Sequence, residues 1–342
     1  MSRQLANETP VLEAVRRLLA AGLGGHDVVQ PMAAVVAATS ALSLSNIDAW
    51  ETKLRVELYL AEGSRSRVGQ WKFWNRPARF ASWLDLCNGS GFKREACLRA
   101  LSEGAPNAFF FSLALRRIND WVPQVRSACH EQLPKIARRT DPRHVTDALW
   151  HALQHCASWG RLDDSASQVL GDIVSIDHVA NRLESMIMQA TAGPAWVVLA
   201  QAARSPALDH ALAELAAAAV QPSVRATAYR FLLERQAVWI VDRKWRWTDV
   251  RTCKGRFEPT LASRSISVGE PFVPVLERAI GDRSVFVRRV AADMLIKHLS
   301  EVGADASHLA RRLAADPWES VASRGRFALA KLGGGPPGQG GG

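Results

Sequence analysis

The sequence has few cysteines, and none of them is placed to act with another. Five occur in 342 residues, none in a C-x-x-C pair: Cys87, Cys97, Cys129, Cys156 and Cys253. An odd number of scattered cysteines argues against a disulfide framework and against a zinc knuckle. We therefore expect free thiols, no metal site and a reducing, cytoplasmic compartment.

Long apolar runs and motifs for covalent or nucleotide chemistry are also missing. The two most apolar stretches, 28–44 and 195–220, are interrupted by polar or charged side chains, so neither predicts a membrane span. No basic start with an apolar run and a cleavage-type site is present, which predicts no secretory signal. The sequence contains no P-loop, no G-x-G-x-x-G and no G-x-S-x-G. We expect no cofactor, no small-molecule substrate and no enzymatic activity.

The net charge of +10 comes from two short segments, residues 65–79 and 243–256, and the remaining chain is balanced. Tryptophans lie among these basic residues. The candidate binding residues are Arg65, Arg67, Trp71, Lys72, Trp74, Arg76 and Arg79 in the first segment, and Trp239, Arg243, Lys244, Trp245, Arg246, Trp247, Arg251, Lys254 and Arg256 in the second. Cationic groups neutralise phosphates and indoles stack on bases. The alternative is that the indoles cover apolar surface between repeats and the cations form a solvated face.

A residue pattern recurs about every 33 residues. With Arg126 as position zero, an acid lies at −6, a small residue at +3 and a leucine at +7: Asp120, Cys129 and Leu133. Four further copies, some incomplete, centre on Arg94, Arg225, Arg288 and Ala322. We expect two degenerate copies within 140–205, and about two units between Arg225 and Arg288.

The spacing within this pattern predicts packed helices. Positions −1, +3 and +7 share one helix face, and a small residue at +3 allows a second helix to approach closely. The acid at −6 precedes the helix, where its oxygens can accept from free backbone N–H groups. Helical signals dominate the chain and no strand alternation is convincing. The prediction is an all-α fold of stacked helix pairs.

Four segments carry a resemblance to HEAT repeats of the bacterial HEAT-like type: "DWVPQVRSAC", "QPSVRATAYRFL", "DRSVFVRRVAADML" and "DPWESVASRGRFAL". The resemblance implies an armadillo-type α-solenoid, a right-handed superhelix of antiparallel helix pairs. It also implies that Asp and Arg side chains bond successive repeats into a ladder, with these members: Asp120, Arg126, Arg225, Asp282, Arg288 and Asp316. Asp316 lacks an arginine in its own copy.

The resemblance divides the chain into three parts. Residues 1–84 form an N-terminal helical cap or divergent repeats, and residues 85–332 form the repeat array, with an insertion at about 239–265. Residues 333–342 are a Gly- and Pro-rich tail that is expected to be disordered.

These patterns favour a non-catalytic scaffold, whose concave face and basic, Trp-rich insertion contact acidic patches of a protein partner. Nucleic-acid binding through the same segments is the alternative. A third possibility comes from alkylpurine DNA glycosylases built of HEAT-like repeats, which combine a basic concave face, tryptophans and an essential Asp. The catalytic motif of those enzymes has no residue-by-residue match here.

Two further features lie outside the repeat pattern. His151 and His155 are four residues apart and share a helix face, but position 152 is alanine, so the H-E-x-x-H zinc motif is absent. Surface histidines on a helix are the favoured interpretation. Trp121 follows Asp120 and has no counterpart in the other copies of the pattern, which makes it a candidate binding residue.

Overall fold

The computed structural model of the protein describes residues 2–65, 81–267 and 269–333. Most of the first basic segment therefore lies outside the described residues, including Arg67, Trp71, Lys72, Trp74, Arg76 and Arg79. The tail at 334–342 also lies outside them. Arg65 is the last residue of a helix. The fold is mostly helical, with one small two-stranded sheet.

The chain divides into two compact units, residues 1–182 and 183–342. The helices of the first unit are α1 (Ser2–Gly24), α2 (Val29–Thr39), α3 (Ile47–Arg65), α4 (Gly91–Ala100), α5 (Ala108–Arg116), α6 (Pro123–Arg139), α7 (Pro142–His155), α8 (Asp164–Val174) and α9 (Asp177–Gln189), which crosses the boundary. Short 3₁₀ turns lie at Leu44–Asn46, Ala81–Cys87, Arg117–Asn119 and Cys156–Ser158. α4 packs on α6 and α6 on α8, while α3 packs on α5 and α5 on α7.

The second unit combines helices with a hairpin. Its elements are α10 (Ala195–Ala202), α11 (Leu212–Ala218), α12 (Pro222–Glu234), β1 (Gln236–Asp249), β2 (Lys254–Ser265), α13 (Phe272–Ile280), α14 (Val285–Lys297), α15 (Leu299–Val302), α16 (Ala306–Ala314) and α17 (Glu319–Gly333). 3₁₀ turns lie at Pro206–Ala211 and Gly303–Asp305. α12 packs on α14 and α14 on α17, and each also contacts the helix that precedes it: α11, α13 and α16.

The repeated pattern forms the core of these helix pairs. The residues at +3 are buried in all five copies: Cys97, Cys129, Ala228, Ala291 and Gly325. At −1, Val125, Val224, Val287 and Val321 are buried, whereas Lys93 of the first copy is exposed. Gly325 shows why +3 must be small, because a Cβ there would lie 2.2 Å from the backbone nitrogen of Ala314 in α16. The leucines at +7 are buried except Leu329, which is half-buried.

Two local expectations were wrong. The chain does contain strands, because β1 and β2 pair antiparallel from Gln236↔Ser265 to Asp249↔Lys254. The fold is thus helical with an inserted hairpin. Along its strands, aromatic side chains alternate with cationic ones, instead of apolar side chains with polar ones. Thr9-Pro10 followed by Glu13 also has the pattern of an N-cap with a first-turn proline and predicts a helix start there, but α1 begins at Ser2 and contains Pro10.

Candidate functional site

Three arginines of the pattern each bind the aspartate of the next copy through two hydrogen bonds. Arg94 donates to Asp120 at 2.7 and 2.8 Å, and Arg225 donates to Asp282 at 2.8 and 2.9 Å. Arg288 donates to Asp316 at 2.6 and 3.2 Å, so Asp316 is paired although its own copy has no arginine. Bidentate guanidinium–carboxylate bonds are strong and directional, and they join one helix pair to the next.

Each arginine of the pattern also holds the start of its own helix. The Nη1 atoms donate to the backbone carbonyl six residues earlier at 2.8–2.9 Å, in all four copies that have the arginine: Arg94, Arg126, Arg225 and Arg288. Arg126 differs in one respect, because no carboxylate among the described residues lies within ion-pair distance of it. The ladder implied for Arg126 therefore does not extend from this residue.

The carboxylate of Asp120 has all of its hydrogen-bond acceptor sites occupied. Its two oxygens accept from Arg94 Nε and Nη2, from Arg117 Nη1 and from the backbone N–H of Val122, all at 2.7–2.9 Å. A carboxylate offers about four lone-pair sites, so these four donors use them. Burial would raise the pKa of Asp120, but the bonds from Arg94 and Val122 and the charges of Arg117 and Arg94 lower it. This geometry assigns Asp120 a structural role.

The hairpin is an insertion between neighbouring members of the ladder. Arg225 and Asp282 are 57 residues apart, whereas the other two pairs are 26 and 28 residues apart. Without the 30 residues of the hairpin, 236–265, the separation would be 27. The interval between Arg225 and Arg288 thus contains one unit plus a hairpin, and the expectation of two units was wrong.

The base of the hairpin is bonded to the helical body of the second unit. Arg264 donates to both oxygens of Asp209 at 2.5 and 2.8 Å and to the carbonyls of Ala203 and Ser205. Gln201 donates to the carbonyl of Ile240 at 2.8 Å. These bonds hold the base, while the part beyond the register shift at 240–242 is exposed on both faces.

One face of the exposed part is aromatic. Trp245 lies opposite Phe257 on the neighbouring strand, with ring centroids 5.0 Å apart, and contacts Trp247 at 5.5 Å, both edge to face. Gly255 permits this arrangement because a Cβ there would lie 2.6 Å from the Trp245 ring. These rings remain 44–64% exposed. Sequence reasoning missed Phe257, whose only signal was its position across the hairpin from Trp245.

The other face and the turn carry the positive charge. Lys244 lies opposite Glu258 and Arg246 opposite Arg256. Glu258 accepts from both Arg246 and Arg256 at 3.0–3.1 Å, which offsets the repulsion between the two guanidiniums, and these bonds lower the pKa of Glu258.

The remaining acids of this part of the chain are also occupied. Asp249 closes the turn by accepting from Arg251 N and Thr252 Oγ1, and these hydrogen bonds lower its pKa. Asp242 accepts from the backbone N–H of Arg243. Among the described residues, no acid pairs with Arg243, Lys244, Arg251 or Lys254. The hairpin therefore presents cations that are available to a ligand.

Trp121 lies at a separate recess within the first unit. It is 65% exposed, and the Arg94 guanidinium carbon lies 5.6 Å from the centre of its ring. The recess has a volume of about 430 Å³ and is lined by α3, α5, α7 and the turns that follow α5 and α7. Sequence reasoning singled out Asp120, Trp121, His151 and His155, which all line the recess, but it did not predict that the fold brings them together.

A network of buried ion pairs forms the floor of the recess. Arg117 donates to Asp120 at 2.8 Å and to Glu51 at 2.5 Å, and Glu51 also accepts from Arg55 and Arg116 at 2.8–2.9 Å. Burial would raise the pKa of Glu51, but the charge of Arg117 and the bonds and charge of Arg116 lower it. The carboxylates of this floor are therefore ionised at neutral pH.

The histidines and cysteines do not assemble a metal or nucleophile site. His151 and His155 lie at the recess with ring centroids 4.9 Å apart, and burial followed by the charge of His155 lowers the pKa of His151. Within the described ranges, no group of three or more His, Cys, Asp or Glu side chains could hold a metal ion. Cys97 and Cys129 are buried, and burial raises the pKa of both thiols.

Comparisons with known proteins give no family for the chain: no protein-family model matches it, and no curated protein does. Among the described helices, no single one is long and apolar enough to cross a membrane. One bent pair, Val29–Thr39 with 44–63, meets that test by length and composition only.

Proposed function

We propose that this protein is a non-catalytic, HEAT-like α-solenoid that binds nucleic acid through its hairpin. The HEAT-like part of the proposal is supported by the ladder, in which an arginine of one helix pair bonds an aspartate of the next. The reducing compartment suggested by unpaired cysteines fits a cytoplasmic location.

The observation that carries the binding proposal is the surplus of unpaired cations on the hairpin. Glu258, Asp249 and Asp242 are each engaged in local bonds, whereas Arg243, Lys244, Arg251 and Lys254 have no acidic partner within the described chain. A two-stranded ribbon of this kind is narrow enough to enter the major groove of duplex DNA. Its exposed aromatic face also offers rings on which unpaired bases can stack.

Salt-dependent binding tests this proposal directly. Fluorescence anisotropy is measured with a labelled DNA single strand, the matching duplex and an RNA of the same sequence, over a series of potassium chloride concentrations. If about four phosphates are contacted, log K falls against log salt concentration with a slope of about −3 to −4.

A charge-matched pair of variants locates the contacts. Replacing Arg251 and Lys254 together with glutamine should reduce the slope by about two, because each removed phosphate contact contributes about one. The same double substitution at Arg311 and Arg312, two exposed arginines of α16, should leave the slope unchanged. Absence of binding to all three probes at low salt would refute the proposal. In that case, affinity capture of acidic proteins that persists after nuclease treatment would favour the alternative of a protein partner.

A further inference from the structure

The recess beside Trp121 has the size and charge of a small-ligand site that is separate from the hairpin. Its volume of about 430 Å³ lies within the range typical of ligand pockets, roughly 300–1,000 Å³. It is contained in the first unit, whereas the hairpin belongs to the second. Ligand binding in this recess is therefore independent of nucleic-acid binding by the hairpin.

The charge of the recess favours an anion. Among the described residues that line it, four arginines face three carboxylates: Arg55, Arg116, Arg117 and Arg161 against Asp48, Glu51 and Asp120. Arg94, directly behind Asp120, adds another positive charge. Asp120 has all its acceptor sites filled, and one oxygen of Asp48 accepts from Arg116. The lining therefore carries a net positive charge.

Trp121 provides a platform for a flat ring. The Arg94 guanidinium stands over the Trp121 ring, and the indole is nevertheless largely exposed. A cation over one face of an indole draws electron density away from the ring, which favours an electron-rich ring on the opposite face. Trp121 is 65% exposed, and no other copy of the repeat has a tryptophan at this position, so the ring is open to a ligand.

The opposite rim is held in place by a backbone contact. The backbone N–H of Arg161 donates to Asn119 Oδ1 at 3.1 Å, which ties the turn carrying Trp159 and Arg161 to the 3₁₀ turn that follows α5. Trp159 also lines the recess. The Arg161 side chain is exposed and lines the same recess as Trp121.

We infer that the Trp121 recess binds a small planar aromatic anion of the nucleoside monophosphate class, with the ring against Trp121 and the acidic group at Arg161. A ligand with only the aromatic ring would have no group to pair with the surplus positive charge. Phosphate by itself would have no flat surface to stack on Trp121. Only a ligand that has both a flat ring and an acidic group can contact both Trp121 and the positive charge.

The test is isothermal titration calorimetry of the full chain with three probes: adenosine monophosphate, adenosine and inorganic phosphate. Adenosine monophosphate should bind, and each of the other two should bind at least about tenfold more weakly, which corresponds to roughly 1.4 kcal/mol. Trp121→Ala and Arg161→Gln should each weaken the monophosphate by at least that factor. Trp247→Ala, which removes an exposed tryptophan from the hairpin, is the matched control and should not change it.

Four results would overturn the inference. These are no heat with adenosine monophosphate at millimolar concentration, equal binding of adenosine and its monophosphate, unaltered binding by Trp121→Ala, and equal loss in Trp247→Ala. The last result would place the ligand on the hairpin. Failure of DNA and RNA binding in the salt series leaves this test unaffected, so the two proposals fail separately.

Discussion

Arg225 and Asp282 form a bidentate ion pair across the 57 residues that separate them in sequence. The Arg225 side chain is 1% exposed, and its third nitrogen donates to the carbonyls of Ala219 and Val220. The inserted hairpin therefore leaves the contact between successive helix pairs intact. This relationship separates the structural role of the ladder from the binding role proposed for the hairpin.

Removing the charge of Asp282 should strongly destabilise the fold. Asp282→Asn leaves the Arg225 guanidinium buried without its counter-charge, and breaking one side of a buried pair costs about 3–5 kcal/mol. Urea denaturation measures the loss. Asp293→Asn breaks the more exposed pair with Arg324 and should cost less than about 1 kcal/mol. Equal losses in the two variants would contradict the assigned role.

The close helix approach at Gly325 predicts a penalty for a single methyl group. Gly325→Ala places a Cβ against the backbone of α16, and overpacking of this kind costs about 1–3 kcal/mol. Gly160→Ala is the control, because no atom lies within 4 Å of a Cβ built there. Thermal unfolding compares the two, and a Gly325→Ala midpoint equal to that of the control would refute the packing argument.

The leucines at +7 should behave as core residues. Leu133→Ala and Leu295→Ala each remove a side chain that is fully buried, at a cost of about 2–5 kcal/mol. Leu261→Ala, at an exposed position in the base of the hairpin, should stay within about 0.5 kcal/mol of the unmodified protein. Chemical denaturation tests this, and losses below about 0.5 kcal/mol at the two core positions would reject the repeat pattern.

Acid should weaken the ladder at Asp316. The hydrogen bond from Arg288 lowers the pKa of Asp316, although burial opposes this. A carboxyl whose pKa is lower in the folded state stabilises that state above its unfolded pKa and loses the effect as pH falls through the folded pKa. Asp316→Asn should therefore be less stable than the unmodified protein at neutral pH, and the difference should shrink below about pH 4. Denaturation over a pH series tests this; a difference that grows with acid would contradict it.

The sequence predicted the helical core well because each helix pair buries the same positions. A small, buried residue occupies +3 in all five copies, and a buried valine occupies −1 in four of them, so the pattern is readable from the sequence. The partner of each arginine was harder to predict, since the bond joins one copy to the next. Arg126 illustrates the limit, because its own position in the pattern is regular but no carboxylate among the described residues pairs with it.

The hairpin was missed as a strand pair for a physical reason. Every residue of β1 from Asp242 onward is exposed, so this part of the strand shows no alternation between buried and exposed positions. What alternates is Trp245 and Trp247 with Lys244 and Arg246, which differ in chemistry but are all exposed to solvent. The recess was missed for another reason: Glu51, Trp121 and Trp159 come from separate segments that only the fold brings together.

Shortening the hairpin is the measurement that tests the account most directly. Residues 243–259 are replaced by Asn-Gly, a sequence suited to a two-residue turn, between the paired residues Asp242 and Thr260. This retains Gln201, Asp209 and Arg264, which hold the base. We predict an unchanged unfolding midpoint and loss of nucleic-acid binding at low salt. Binding that persists with full affinity in the folded, shortened protein would contradict the proposal that the hairpin is the recognition element.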